Sequence, residues 1–235
     1  MLDVLKSRNQ IDQARAEMKA RSISAIDTQL QSLLRRLHLL PGQKVGDEVK
    51  SWDVLRSISF IEENLAKNAA VLDIGAFSSE MLVSLSKLGF TNLHGIDLNP
   101  GVLGMPGSDT IQYKVSDFMQ TPYPDASFDA ITAVSVIEHG YSPERLLAEI
   151  SRLLQPGGYF LASFDYWPDK IDTMNVKFFG MEWLIFSKDD VQDLIHRAET
   201  VGLSPFGHVH YEAGTPLIDC AGKQYTFAWL ALKKR

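Results

Sequence analysis

A short apolar run that ends in an acid and a glycine constrains this chain most. Ala69-Ala-Val-Leu-Asp-Ile-Gly75 is followed by a helical pattern, Ser79-Glu-Met-Leu-Val-Ser-Leu-Ser-Lys-Leu88, which Gly89 stops. A second apolar run, Asn92-Leu-His-Gly-Ile96, ends in another acid, Asp97. Strand, turn, helix and strand in that order describe a βαβ unit of about 30 residues. Asp97 lies 22 positions after Gly75, where nucleotide-binding crossovers place a carboxylate against ribose hydroxyls.

The rest of the chain extends or covers that unit. Residues 3 to 39 carry apolar positions at helical spacing, among them Ile11, Ala14 and Met18, and Pro41-Gly42 ends the run. They are expected to cover one face, to pair with a second copy or to form a lid over a pocket. Ser51 opens another helical pattern through Ala66, and Lys50 and Trp52 sit where an entering segment borders a pocket. The glycines and prolines of Asn99–Gly107 leave the second crossover helix short or absent. Thr110–Val115 is expected as a third strand, Phe128–Ile137 as a buried fourth and Tyr159–Phe164 as a fifth. Ser142 and Pro143 open the helix between the last two. Ser187 opens one more through Thr200, and Leu203–Tyr211 and Gln224–Leu232 close the chain as an antiparallel pair.

The expectation is an α/β fold, a doubly wound, mostly parallel sheet of seven strands with an antiparallel last strand and added N-terminal helices. Residues 1–68 are read as an N-terminal helical segment and 69–235 as the binding domain. Such sheets take ligands outside the carboxyl ends of their strands. Polar residues gather at five of those ends, at Asp73–Ser79, Asp97, Asp117-Phe118, Ser135–His139 and Asp165–Trp167.

Composition narrows the partners. The net charge is −6, so no basic face is evident and nucleic acid is not expected. The single cysteine, Cys220, permits no internal disulfide and fits a reducing compartment. No stretch approaches the roughly 18 apolar residues of a membrane span. Met1–Lys6 lacks the basic-then-apolar build of a signal peptide. A cytoplasmic protein without a membrane partner is expected, with a homodimer through the N-terminal helices as one arrangement.

In order along the chain, Val71-Leu-Asp-Ile-Gly75, Gly95-Ile-Asp-Leu98, Ser116-Asp-Phe118, Ser135-Val-Ile-Glu-His139 and Leu153-Leu-Gln-Pro-Gly-Gly158 resemble the motifs of the class I S-adenosylmethionine-dependent methyltransferases, of the type-11, small-molecule kind. The resemblance runs from about Ala69 to Phe164. It implies a Rossmann-like fold and S-adenosyl-L-methionine as cofactor. It places Asp73, Gly75, Ala76 and Phe77 near the methionine part, Asp97 and Leu98 at the ribose, Asp117 and Phe118 at the adenine, and Ser135 beside the reacting methyl. One departure stands out: the family's first motif carries three glycines, and here Phe77 and Ser79 occupy the second and third positions.

A methyl sulfonium is already activated, so the protein must align the reactants, exclude water and, for a hydroxyl nucleophile, accept a proton. His139 is read as that base or as a helix-entry residue bonded to backbone. Asp165 is read as its orienter, as the base itself or as a turn acid. Glu138, Tyr166 and Trp167 are candidates for the acceptor wall, with packing the alternative for the two aromatics. His208, His210 and Glu212 share one strand face, but no fourth ligand is apparent and no metal is expected. The reaction expected is methyl transfer to oxygen or nitrogen of a small-molecule acceptor, with a sugar or sugar-linked intermediate as one candidate. Protein or RNA methylation is the alternative, and so is a non-catalytic binding module that kept the fold.

Overall fold

Buried β-branched and leucine runs become parallel strands when helices can cover both faces, and this chain supplies both. The computed structural model describes residues 1–37, 39 and 43–235, with Gln29 described by its backbone alone. The strands are β1 (Leu2–Val4), β2 (Ala70–Ile74), β3 (Asn92–Asp97), β4 (Ile111–Val115), β5 (Phe128–Val134), β6 (Leu154–Tyr166), β7 (Lys177–Phe178), β8 (Met181–Glu182), β9 (Leu203–Pro205), β10 (Ile218–Cys220) and β11 (Lys223–Lys234). The helices are α1 (Arg8–Ala20), α2 (Gln29–Arg36), α3 (Ser51–Asn64), α4 (Met81–Lys87), α5 (Pro143–Leu153) and α6 (Lys188–Thr200).

The main sheet runs β1-β11-β6-β5-β2-β3-β4, with β9 and β10 also paired to β11. From β6 to β4 it is parallel, and β11 runs antiparallel to β6. The sheet has nine strands rather than seven, because β1 and β10 were not visible as strand patterns. The second crossover helix is reduced to a 3₁₀ turn, Pro100–Gly104, as the glycines and prolines there dictate. The chain leaves β2 in one direction to β3 and β4 and in the other, across β5, to β6. The switch point therefore falls between the carboxyl ends of β2 and β5, where such folds open a crevice.

Two cores flank the sheet. On one face α5 and α6 bring Leu146, Leu147, Ile150, Val191 and Leu194 against it. On the other, α1, α3 and α4 bring Ile11, Met18, Ile58, Ile61, Met81 and Leu85.

The division at residue 68 is the expectation that changes most. Residues 2–4, whose last two fall in the stretch 3–39 read as helical, form β1 and pair with Leu230, Trp229 and Ala228 of β11. Leu2 and Val4 are buried, so three residues with alternate apolar side chains are enough once a sheet edge receives them. Helix α3 is bolted to the sheet by polar contacts as well. The Trp229 indole N–H donates to Ser57 Oγ at 2.9 Å, and the Ser163 hydroxyl donates to Asp53 Oδ2 at 2.9 Å. The N-terminal segment is part of the core. The stop expected at Pro41-Gly42 lies outside the described residues.

Candidate active site

A cavity of about 790 Å³ opens at the switch point, and Gly75, Phe77, Asp97, Leu98, Phe118, Ser135 and His139 line it. Ligand pockets of small molecules span roughly 300–1,000 Å³. The turn after β2 starts it. Gly75 has φ +73° and its N–H, with that of Ala76, donates to the Ile96 carbonyl. A Cβ on Gly75 would meet Val136 Cγ2 at 2.3 Å, so only glycine lets this turn lie against the end of β5.

The loop that departs from the family's glycine pattern keeps a workable path. The positive φ falls on Ser78 (+63°), not on Phe77. The Phe77 ring packs over Gly101, where a Cβ would come within 2.6 Å of it. The bulk that replaced one glycine is thus accommodated by another, 24 positions later. Gly46 N–H donates to the Ser78 carbonyl at 2.8 Å, which ties the N-terminal segment to the same loop.

Asp97 sits at the end of β3. Its Oδ2 accepts the Phe77 N–H at 3.0 Å and its Oδ1 accepts the Asn99 N–H at 2.7 Å. Two backbone donors hold the carboxylate in place and leave it lone pairs to spare. Leu98 and Phe118 flank the same cavity.

The other expected cofactor residues lie apart from it. Asp73 is buried beside β5 and accepts the Thr132 hydroxyl at 2.6 Å rather than loop amides. Burial pushes its carboxyl up to about 7, against the Thr132 hydrogen bond. Ala76 is packed with Val45, Val102 and Met105. Asp117 accepts the Met119 N–H at 2.8 Å, stands 3.4 Å from the Arg145 guanidinium and is not among the lining residues.

Ser135 ends β5 with φ +53°, its N–H donating to the Ser163 carbonyl. Its hydroxyl is buried, lines the cavity and meets no partner among the described residues. His139 follows, and its Nδ1 is likewise buried and unpaired among the described residues. Burial holds the imidazole below its ordinary pKa; the charge of Asp165 opposes this and that of Lys50 adds to it. The ring is therefore neutral near pH 7 and free to accept a proton.

Behind His139 lies a buried cluster of charge. The Lys50 ammonium lines the cavity, stands 3.8 Å from Asp165 Oδ1 and rests 3.3 Å from the centre of the Phe227 ring. Asp165 Oδ2 accepts the Trp183 indole N–H at 2.8 Å. Asp165 does not line the cavity, so the structure gives it an orienting place behind Lys50 rather than contact with an acceptor. Glu138 is buried too, with neither carboxylate oxygen paired among the described residues. Burial drives its pKa well up, and the Asp165 charge reinforces the shift.

The acceptor wall expected from Glu138, Tyr166 and Trp167 is not found. Tyr166 is fully buried and its hydroxyl donates to the Tyr211 carbonyl at 2.7 Å. Trp167 packs against the opposite core. Tyr166 is the last residue of β6 and Trp167 follows it, and each is taken into one of the cores that flank the sheet. The wall comes from elsewhere: Gly46, Asp47, Lys50 and Val54 from the N-terminal segment, and Phe179 and Met181 from the β7–β8 hairpin. Only Lys50 carried a hint in the sequence, by its place just before the central domain. His208 and His210 stand with ring centres 6.2 Å apart, and no group of three or more potential metal ligands occurs among the described residues.

The fold and the cavity define an α/β domain whose crevice is lined by both the Asp97 carboxylate and the His139 imidazole. Residues 72–162 match the family model described as a methyltransferase domain. A sterol 24-C-methyltransferase of Gibberella zeae is 33% identical over 119 residues, 45% of this chain and 31% of that protein. The human EEF1A lysine methyltransferase 2 is 28% identical over 165 residues, 60% of this chain and 68% of that protein. The chain thus spans about a third of the length of that sterol methyltransferase. In fold it is similar to a geranyl diphosphate C-methyltransferase of Streptomyces coelicolor, solved with S-adenosyl-L-homocysteine (TM-score 0.59, 14% identity, 77% of this chain and 78% of that one). Over residues 72–162 the chain is thus similar to the methyltransferase domain family, and its fold is that of S-adenosylmethionine-dependent methyltransferases of known structure.

Proposed function

We propose that the protein transfers a methyl group from S-adenosylmethionine to an oxygen or nitrogen of a small acceptor, a sugar-linked metabolite being one candidate. One observation carries the reading: a single cavity joins the Gly75 turn and the Asp97 carboxylate to the unpaired Ser135 hydroxyl and the neutral His139. The residues fit the cofactor. Asp97 is an acceptor for ribose hydroxyls, Leu98 and Phe118 offer apolar faces to a base, and Ser135 is an orphaned buried hydroxyl that a polar ligand would satisfy. Asp117 is proposed for the adenine amine only if its carboxylate turns from Met119 and Arg145.

When bound, S-adenosylmethionine supplies a methyl group activated by its sulfonium. The protein's share is to align and to dehydrate. A Cβ on Gly75 would lie 2.3 Å from Val136 Cγ2, so the Gly75 turn packs tightly on the residue after Ser135 and fixes the crevice there. His139 takes the proton that an acceptor hydroxyl, or an amine attacking through its lone pair, sheds as the bond to the methyl carbon forms and that carbon's bond to sulfur breaks. Lys50 and Asp165 set the charge around the imidazole. Phe179 and Met181 help to keep water from it.

The lysine methyltransferase relative favours a second reading, with a protein side chain as acceptor. Calorimetric titration with S-adenosylhomocysteine tests the first step common to both: micromolar binding is expected, and no binding at millimolar ligand would leave only a fold without the chemistry. Incubation with labelled S-adenosylmethionine then separates small-molecule from protein acceptors by where the label goes.

A further inference from the structure

Two adjacent phenylalanines meet opposite fates at the cavity mouth. Phe178 packs edge-on against Trp183, ring centres 5.1 Å apart. Phe179 is 86% exposed, yet it lines the cavity and its ring stands 5.6 Å from that of His139, nearly perpendicular to it. The backbone adds a second oddity. Strands β7 and β8 pair Phe178 with Met181, so Phe179 and Gly180 form a two-residue hairpin loop. Both have positive φ, +55° and +79°. Two-residue hairpins require this, and they favour Asn-Gly or Asp-Gly for that reason. A bulky aromatic at positive φ is an outlier, and strained residues that persist gather at ligand sites.

Among the described residues, three of the seven non-glycine ones at positive φ, Ser78, Ser135 and Phe179, line this one cavity. The two serines answer to the turns that shape the crevice. Phe179 has no such account: asparagine would make the hairpin better, and no core receives the ring. Beside it, Met181 Sδ lies against Gly140, and Val54 and Val134 line the same cavity. The approach to His139 is therefore apolar, with an aromatic face held out on a rigid turn.

We propose that Phe179 contacts the methyl acceptor and selects one whose nucleophilic hydroxyl or amine is attached to an apolar body, an aromatic ring or a hydrocarbon chain, rather than a sugar. This rests on the methyltransferase reading above and narrows its acceptor. The hairpin sets the ring beside the imidazole, so an apolar body lying on Phe179 brings its polar end to His139. Aromatic side chains supply such contact at low cost in lost freedom.

The test compares the full chain with Phe179→Asn, Phe179→Tyr and Phe179→Ala, using S-adenosylhomocysteine, 4-hexylphenol and methyl glucoside as probes. Phe179→Asn should raise the melting temperature by about 2–4 °C, since it relieves the turn. It should leave S-adenosylhomocysteine affinity unchanged. It should weaken 4-hexylphenol binding to the S-adenosylhomocysteine complex about tenfold or more, as Phe179→Ala does, while Phe179→Tyr keeps it. The Asn variant is the decisive one, because a Phe without a role would yield the gain in stability with no loss of binding. That outcome overturns the proposal. So does binding or methylation of methyl glucoside with none of 4-hexylphenol, or a fall in S-adenosylhomocysteine affinity on substitution, which would assign the ring to the cofactor. Failure of the unsubstituted chain to bind S-adenosylhomocysteine removes the parent reading and this one together, and that titration is read separately.

Discussion

At the scale of single residues, Asp97 and Asp53 show how one side chain type does opposite work. Asp97 is held by two backbone N–H groups at the cavity and turns its carboxylate toward it. Asp97→Ala should lower S-adenosylhomocysteine affinity about 10- to 100-fold by calorimetry, the worth of a hydrogen bond to a charged group. Asp53 is wholly buried in α3. Burial pushes its carboxyl up to about 6, with Lys50 and the Ser163 hydroxyl opposing. The unfolded chain releases that proton near 3.8. Between about pH 4 and 6 the folded state thus holds the extra proton, and stability falls as pH rises through that window. Asp53→Asn should escape the fall. Its stability relative to the parent should grow from pH 4 to 6 by on the order of 3 kcal/mol and then level off, measured by urea unfolding at each pH.

At the scale of elements, the cofactor loop is set by contacts that its own sequence does not contain. Arg15 on α1 pairs with Glu80 at the start of α4, both buried, and the Glu80 carboxylate also accepts the Ala25 N–H at 3.1 Å. The Ser84 hydroxyl donates to the Ile23 carbonyl at 2.9 Å. Helix α1 and the loop after it therefore brace the loop that lost two glycines. Arg15→Met leaves a buried carboxylate without its partner and should cost about 3–5 kcal/mol in denaturant unfolding. Adding Glu80→Gln, which removes the charge but keeps an acceptor for Ala25, should recover a large part of it. Motifs such as Gly75 and Asp97 were legible because a turn and a strand end are local facts. Tyr166 and Trp167 misled for the same reason: they end a strand that faces the right edge, but burial and the Tyr211 carbonyl decided their direction.

At the scale of the whole molecule, the two ends of the chain close one sheet. Strand β1 lies on β11, and β11 lies on β6. Helix α3 covers the face that carries Trp229 and Ser163. A fragment of residues 69–235, the domain that pattern alone suggests, should lack a cooperative unfolding transition and should aggregate. It exposes the long apolar strand β11 at an edge together with the face that α3 covered. Circular dichroism and a urea titration of the fragment beside the full chain check this. Helix α2 presents Leu30, Leu33 and Leu37 outward, so the N-terminal segment combines a core-forming part with an exposed one.

The sequence by itself determined the alternation of strands and helices, the parallel order that follows from it, and the acid and glycine at the ends of β2 and β3. Each depends on near neighbours, on period and on turn chemistry. The tertiary structure alone decided which residues face the reacting centre. Lys50, Phe179 and Met181 come from opposite sides of the chain's motif region, and β1 becomes a strand only because β11 offers an edge. Contacts between residues far apart in sequence leave no periodic trace, so Gly75, Asp97 and Ser135 could be placed at strand ends from the chain, whereas the part of the cavity that Phe179 and Met181 line could not.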